Sequence, residues 1–108
     1  MNLRELTQAM HEFVTAKGWY NPDSIHPQTP RNLAISLALE ASEVLEHYQW
    51  SENPQDKEEL ASELADVALY LLQLAQISGI DLEQAILAKL QTNYNRRWVS
   101  PGKKAGEE

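Results

Sequence analysis

The chain has 108 residues, 43% of them hydrophobic, no cysteine and a formal net charge of -7. That length makes a single domain with a modest core; the acidic balance leaves no basic footprint for DNA or RNA, and the missing cysteine removes disulfide and thiolate chemistry. The N-terminal Met1-Asn2-Leu3-Arg4-Glu5 lacks an apolar signal core, and Glu63 and Asp66 interrupt the most hydrophobic stretch before it reaches bilayer length, so the expectation is a soluble, cytoplasmic protein with no membrane partner.

Leu3, Leu6, Met10, Phe13 and Val14 recur at helical spacing, and Gly18 stands where a C-terminal cap belongs, predicting a first helix from about Asn2 to Lys17. Asn21-Pro22 and His26-Pro27 then mark an irregular loop from Trp19 to Thr29, because each proline lacks a donor and biases its predecessor away from helix. Thr29-Pro30 is a hydroxyl cap followed by a first-turn proline, and opens a second helix through Leu33, Leu37, Val44 and Tyr48 to about Trp50. A third helix should start near Pro54 or Gln55, carry Leu60, Leu64, Val67, Leu71 and Leu74, and stop between Ser78 and Gly79; it reads as the central one. Asp81 caps a fourth, through Leu82, Ala85, Ile86 and Leu90 to about Arg97. Residues 1–99 form the expected domain and 100–108 a disordered tail. No strand-type alternation competes, so the fold class is all-α, a four-helix bundle.

Two acidic doublets stand out, Glu40-x-x-Glu43 and Glu63-x-x-Asp66. Residues three apart on a helix share a face, and Glu40 follows Leu33 and Leu37 and precedes Val44, inside the apolar stripe itself. A single glutamate in such a helix is ordinarily solvated or paired, here with Lys57, Arg31 or Lys89, and an acidic face serving only to bind a basic protein partner would need no metal. Two helices repeating the same spacing, one of them within a stripe meant for burial, point instead to a hard-oxygen cage suited to Mg²⁺, with Mn²⁺ as a substitute. That chemistry suits an enzyme acting on a phosphate ester or anhydride. A di-iron carboxylate bundle would want Glu-x-x-His, which neither doublet supplies.

The ordered series Glu40-x-x-Glu43, nineteen intervening residues, Glu63-x-x-Asp66, then Lys89-x-x-x-Asn93-x-x-Arg96, resembles the MazG-type all-α nucleoside triphosphate pyrophosphohydrolases, over about Phe13 to Trp98. Pro30-Arg31-Asn32-Leu33 and Tyr48-Gln49-Trp50 are similar to the dCTP pyrophosphatase branch. The resemblance implies a bundle completed by oligomerisation, as a homodimer or homotetramer. It also implies hydrolysis of the α–β phosphoanhydride of a nucleoside triphosphate, with dCTP or a modified pyrimidine nucleotide as the option the branch suggests, giving the monophosphate and pyrophosphate and serving to clear a nucleotide pool. Glu40, Glu43, Glu63 and Asp66 would be the metal-holding and catalytic acids, one of them orienting or deprotonating the attacking water. Lys89, Asn93 and Arg96 follow one helical line and would meet the phosphates and sugar together with Tyr70, which continues the carboxylate line by one turn. Trp19 and Trp50, each beside a chain break, would stack on the base, with His26 reaching in from the loop. The branch has a histidine two residues before the proline; this chain has Gln28 there and His26 two residues earlier, which opens the question of base preference. Neither His11 nor His47 has a partner at metal-ligand spacing, and neither receives a role.

Overall fold

The computed structural model describes residues 1–54 and 56–96 as four α-helices joined by loops, with no strand among those residues. They are α1 (Leu3–Ala16), α2 (Pro30–Glu46), α3 (Lys57–Ile77) and α4 (Leu82–Asn95). Gln55 as a helix start, Arg97 as a helix end, Trp98, Val99 and the tail 100–108 lie outside the described residues.

Each helix begins where a short polar side chain can take up an orphan N–H of the first turn. Asn2 accepts from Glu5 N at 2.8 Å, Thr29 from Asn32 N at 3.2 Å, Asp56 from Glu59 N at 3.0 Å and Asp81 from Gln84 N at 3.1 Å. A cap of this kind stabilises by about 1 kcal/mol. Two boundaries differ from expectation. α3 starts after Asp56 rather than at Pro54, because an aspartate is a strong cap and Glu58 and Glu59 favour the positive end of the helix. α2 ends at Glu46, not near Trp50: His47, Tyr48 and Gln49 each bond to the carbonyl three residues back, which tightens the chain out of α geometry.

α3 is the central helix, touching α1, α2 and α4, whereas α2 touches only α3. The apolar residues buried among those described are few: Met10 and Val14 of α1, Leu33 of α2, and Leu72 and Ala75 of α3. The leucine stripe expected on α3 is only partly covered, since Leu64 and Leu71 are 50% and 40% exposed. On α2 the residues Leu33, Leu37, Glu40, Val44 and the C-cap His47 are buried or half-buried and so face α3, while Ile35 and Leu39 share a second face that the other described residues leave exposed, and Leu45 is exposed to one side of it. α4 has no buried residue, and Ile86, Leu87, Leu90 and Tyr94 are exposed along it. The radius of gyration is 17.6 Å, against about 13 Å for a compact domain of this length, so one chain does not close a core around its own apolar faces.

Contrary to the sequence expectation, α3 is long and apolar enough to cross a bilayer by length and composition, with 21 residues and a mean hydropathy of 1.3 over its best window. A leucine- and alanine-rich helix at the centre of a bundle meets the same criterion as a membrane span, and α3 packs against three other helices while carrying Glu63 and Asp66.

Gly79 follows α3 with φ of +71°, a left-handed cap position that a side chain disfavours, although nothing lies within 4 Å of where its Cβ would be. Gly79→Ala is therefore expected to cost about 1 kcal/mol through backbone strain alone. Urea unfolding checks this: the midpoint falls while the dependence on denaturant concentration stays unchanged.

Candidate functional site

The α2–α3 seam brings the acidic residues together. Helical period carries Glu40 into the stripe that packs on α3, and its Oε2 is buried without a hydrogen-bond partner. Burial, first, raises the Glu40 carboxyl above its ordinary range; the Glu43 carboxyl within hydrogen-bonding reach, and the charges of Glu43, Asp66 and Glu63, push it the same way. Acids from both helices thus act on one carboxyl. Glu63 is half-buried, while Glu43 and Asp66 stand exposed at the mouth of the seam. Arg31, Lys57 and Lys89 form no ion pair with these acids among the described residues.

Among the described residues no three His, Asp or Glu side chains close on a common point as a finished metal cluster. The donor set nevertheless fits a hard divalent ion. A buried carboxylate oxygen with no donor, in the field of three like charges, is costly unless a cation relieves it.

Glu63 has a partner that sequence spacing did not assign. His47, the C-cap of α2, donates from Nε2 to Glu63 Oε2 at 2.5 Å. A signal was present, since His47 lies four residues after Glu43 and seven after Glu40 on the same helical line. Period shows a shared face, but not which residue of a neighbouring helix will meet it.

A cavity of about 850 Å³ opens beside the acids, between α1, α3 and the loop after α1. Asp66 and Tyr70 line it together with Trp19 and His26, so these four expected site residues meet there. Trp19 is held edge-on against Phe13, with ring centroids 5.5 Å apart and an interplanar angle of 87°. Trp50 does not line this cavity; it lies beyond the end of α2 and is 90% exposed. At the cavity wall Gln73 donates to Gln28 Oε1 at 2.7 Å, and Gln28 donates to the His26 carbonyl at 2.9 Å. Gln73 is 5% exposed, a buried amide in mostly apolar surroundings. Burial raises the nearby Tyr20 phenol, with Gln73 partly offsetting the effect. Gln73, seven residues after Asp66 and three after Tyr70, again follows the acid line, and a glutamine on a helix carries no signal by itself.

The expected phosphate-binding line lies on α4, which touches α1 and α3 but not α2. Asn93 is half-buried and its Oδ1 is enclosed without a partner, while Lys89 and Arg96 are exposed.

The raised Glu40 carboxyl has a consequence for stability. Its folded pKa lies above the unfolded one, so its favourable contribution is fully present below the ordinary carboxylate range and is lost as pH rises through the folded value. The ion-free protein should lose this stability as pH rises above the ordinary carboxylate range, and Glu40→Gln should flatten that part of the profile. Thermal melts of the two proteins across this window test the difference. Asp81, lowered chiefly by the Gln84 backbone N–H, contributes a slope of opposite sign that both proteins share.

The MazG-like family model matches residues 35–108. The mouse protein dCTP pyrophosphatase 1 is 32% identical over 103 residues, and its human counterpart 31%; each match covers 87% of this chain and 58% of the relative. This chain therefore spans little more than half the length of those curated proteins. A crystal structure of a pyrophosphatase from Archaeoglobus fulgidus superposes with a TM-score of 0.70 at 33% identity, covering 83% of this chain and 86% of that one. A shorter match, 47% identical over 38 residues, is to the dATP/dGTP diphosphohydrolase of Salmonella phage PMBT28, 13% of whose length it covers.

Proposed function

We propose, because this chain belongs to the MazG-like family, that it is a nucleoside triphosphate pyrophosphohydrolase cleaving the α–β phosphoanhydride of dCTP or a modified pyrimidine nucleotide. The products are the nucleoside monophosphate and pyrophosphate. The observation that carries this reading is the partnerless Glu40 oxygen on a carboxyl in the combined field of Glu43, Glu63 and Asp66, the last of which lines a cavity together with Trp19 and Tyr70. The mouse and human relatives named dCTP pyrophosphatase 1 and the archaeal pyrophosphatase of like fold support it.

In this reading Glu40, Glu43, Glu63 and Asp66 hold Mg²⁺, for which Mn²⁺ can substitute. When bound, the ion neutralises phosphate charge and polarises the attacked phosphoryl group. A triphosphate carries about four negative charges near neutral pH and would otherwise be repelled from an acidic seam. One of the four acids orients or deprotonates the water, so no protein nucleophile is required. Trp19 stacks on the base, and His26 and Tyr70 border it and the sugar. Lys89, Asn93 and Arg96 take phosphate oxygens, Arg96 as a planar fork and Lys89 as a point charge. Since α4 does not reach α2 within one chain, a second copy is the natural source of that line for a given acidic seam, and the assembly is a homodimer or homotetramer. Trp50 would join the base site in the same way. The cell compartment that fits such a role is the cytoplasm.

Pyrophosphate release measured with Mg²⁺ over a panel of canonical and modified nucleotides tests the proposal. Turnover of a pyrimidine deoxynucleotide that is abolished by EDTA and restored by Mg²⁺ is the expected result. Absence of turnover with every nucleotide, with binding of a basic protein unaffected by Glu63→Gln, would replace it with a non-catalytic interaction module.

A further inference from the structure

His47 and Glu63 meet across the α2–α3 seam with side chains only 10% and 18% exposed, so water competes poorly for their hydrogen bond. One oxygen of the Glu63 carboxylate is taken by the imidazole and the other is left for a second partner. His47 lies on the same helical line as Glu40 and Glu43, which places the donor on the face of α2 that carries the acids. Glutamate has three side-chain torsions; one flanked by like charges would otherwise swing toward solvent and pay to be ordered when an ion is captured.

We propose that His47 is a positioning residue, whose Nε2–H pins one oxygen of Glu63 so that the other is presented to the divalent ion. The inference rests on the reading of Glu63 as an ion ligand. Outer groups that orient ligating carboxylates commonly alter metal affinity by roughly 10- to 100-fold when removed. A mere clamp between helices would change stability instead and leave affinity for the ion alone.

The test is Mn²⁺ binding to the nucleotide-free, full-length protein, followed by electron paramagnetic resonance of the free ion, for wild type, His47→Leu, His47→Gln and Glu63→Gln. Thermal melts and sedimentation establish that each variant is folded and assembled. His47→Leu is expected to weaken Mn²⁺ binding by about 10- to 100-fold, and His47→Gln, whose Nε2 can occupy the position of the imidazole donor, to restore it to within a few-fold. In turnover, the Mg²⁺ concentration needed for half-activation should rise in the leucine variant by more than the nucleotide KM. If the leucine variant does not fold, His47→Phe fills the same space without the donor and carries the same expectation. Wild-type Mn²⁺ affinity in the donorless variant, with Glu63→Gln strongly weakened, would overturn the role of His47 alone. Unchanged affinity in Glu63→Gln would overturn the ligand assignment beneath it.

Discussion

Glu63→Gln is expected to lower pyrophosphate release by about 10³-fold at saturating nucleotide. The substitution is nearly isosteric and keeps an oxygen that can accept from His47, so the α2–α3 seam stays packed; what it removes is one negative charge from the proposed ion site. Electrostatic help from a bound ion is worth several kcal/mol, and each 1.36 kcal/mol is a factor of ten in rate, which gives roughly three decades. Steady-state assays with Mg²⁺ titrated at fixed nucleotide measure it. Groups that serve one ion act as a unit, so adding Glu40→Gln should deepen the loss far less than its own single effect predicts. A Glu63→Gln enzyme retaining more than about a tenth of its activity would show that this acid does not hold the ion on which the chemistry depends.

The second large effect is on assembly. Ile35 and Leu39, on successive turns of α2, are 49% and 61% exposed on the face turned away from α3, and no described helix of the same chain covers them. Fully burying an aliphatic side chain of this size stabilises by about 2 kcal/mol, and a two-fold interface buries each residue twice. About half of each side chain is still exposed, so Ile35→Asp with Leu39→Asp should remove at least roughly 4 kcal/mol from association, or about three decades in the dissociation constant. Sedimentation velocity at micromolar concentration should show a monomer where wild type sediments as a dimer or tetramer. Turnover should fall with it if α4 of one copy completes the acidic seam of another. A wild type that is itself monomeric would defeat this expectation outright.

Gly79, Thr29 and Asp81 show what was legible from the chain alone. Helix caps are local events: a hydroxyl or carboxylate reaches an N–H three residues on, and a glycine accepts a left-handed turn, so residue types announce them. The acidic seam was legible for a related reason. Glu40 falls where the helical period demands an apolar residue, and a charge in that position calls for a compensating partner whatever the tertiary arrangement. The end of α2 and the start of α3 differ from the sequence expectation because tight i→i−3 bonds at His47, Tyr48 and Gln49 close the one and the Asp56 cap opens the other.

Helical periodicity therefore determined that the described residues are all-α and that two pairs of acids share faces, because each of these depends on contacts within a few residues. Tertiary structure alone decided that His47 donates to Glu63 across sixteen positions of sequence, that Gln73 reaches back forty-five positions to Gln28, and that Trp19 lines the cavity while Trp50 does not. Such pairings are set by how two helices rotate and slide on packing, and the pattern of a single helix carries no record of its neighbour's register.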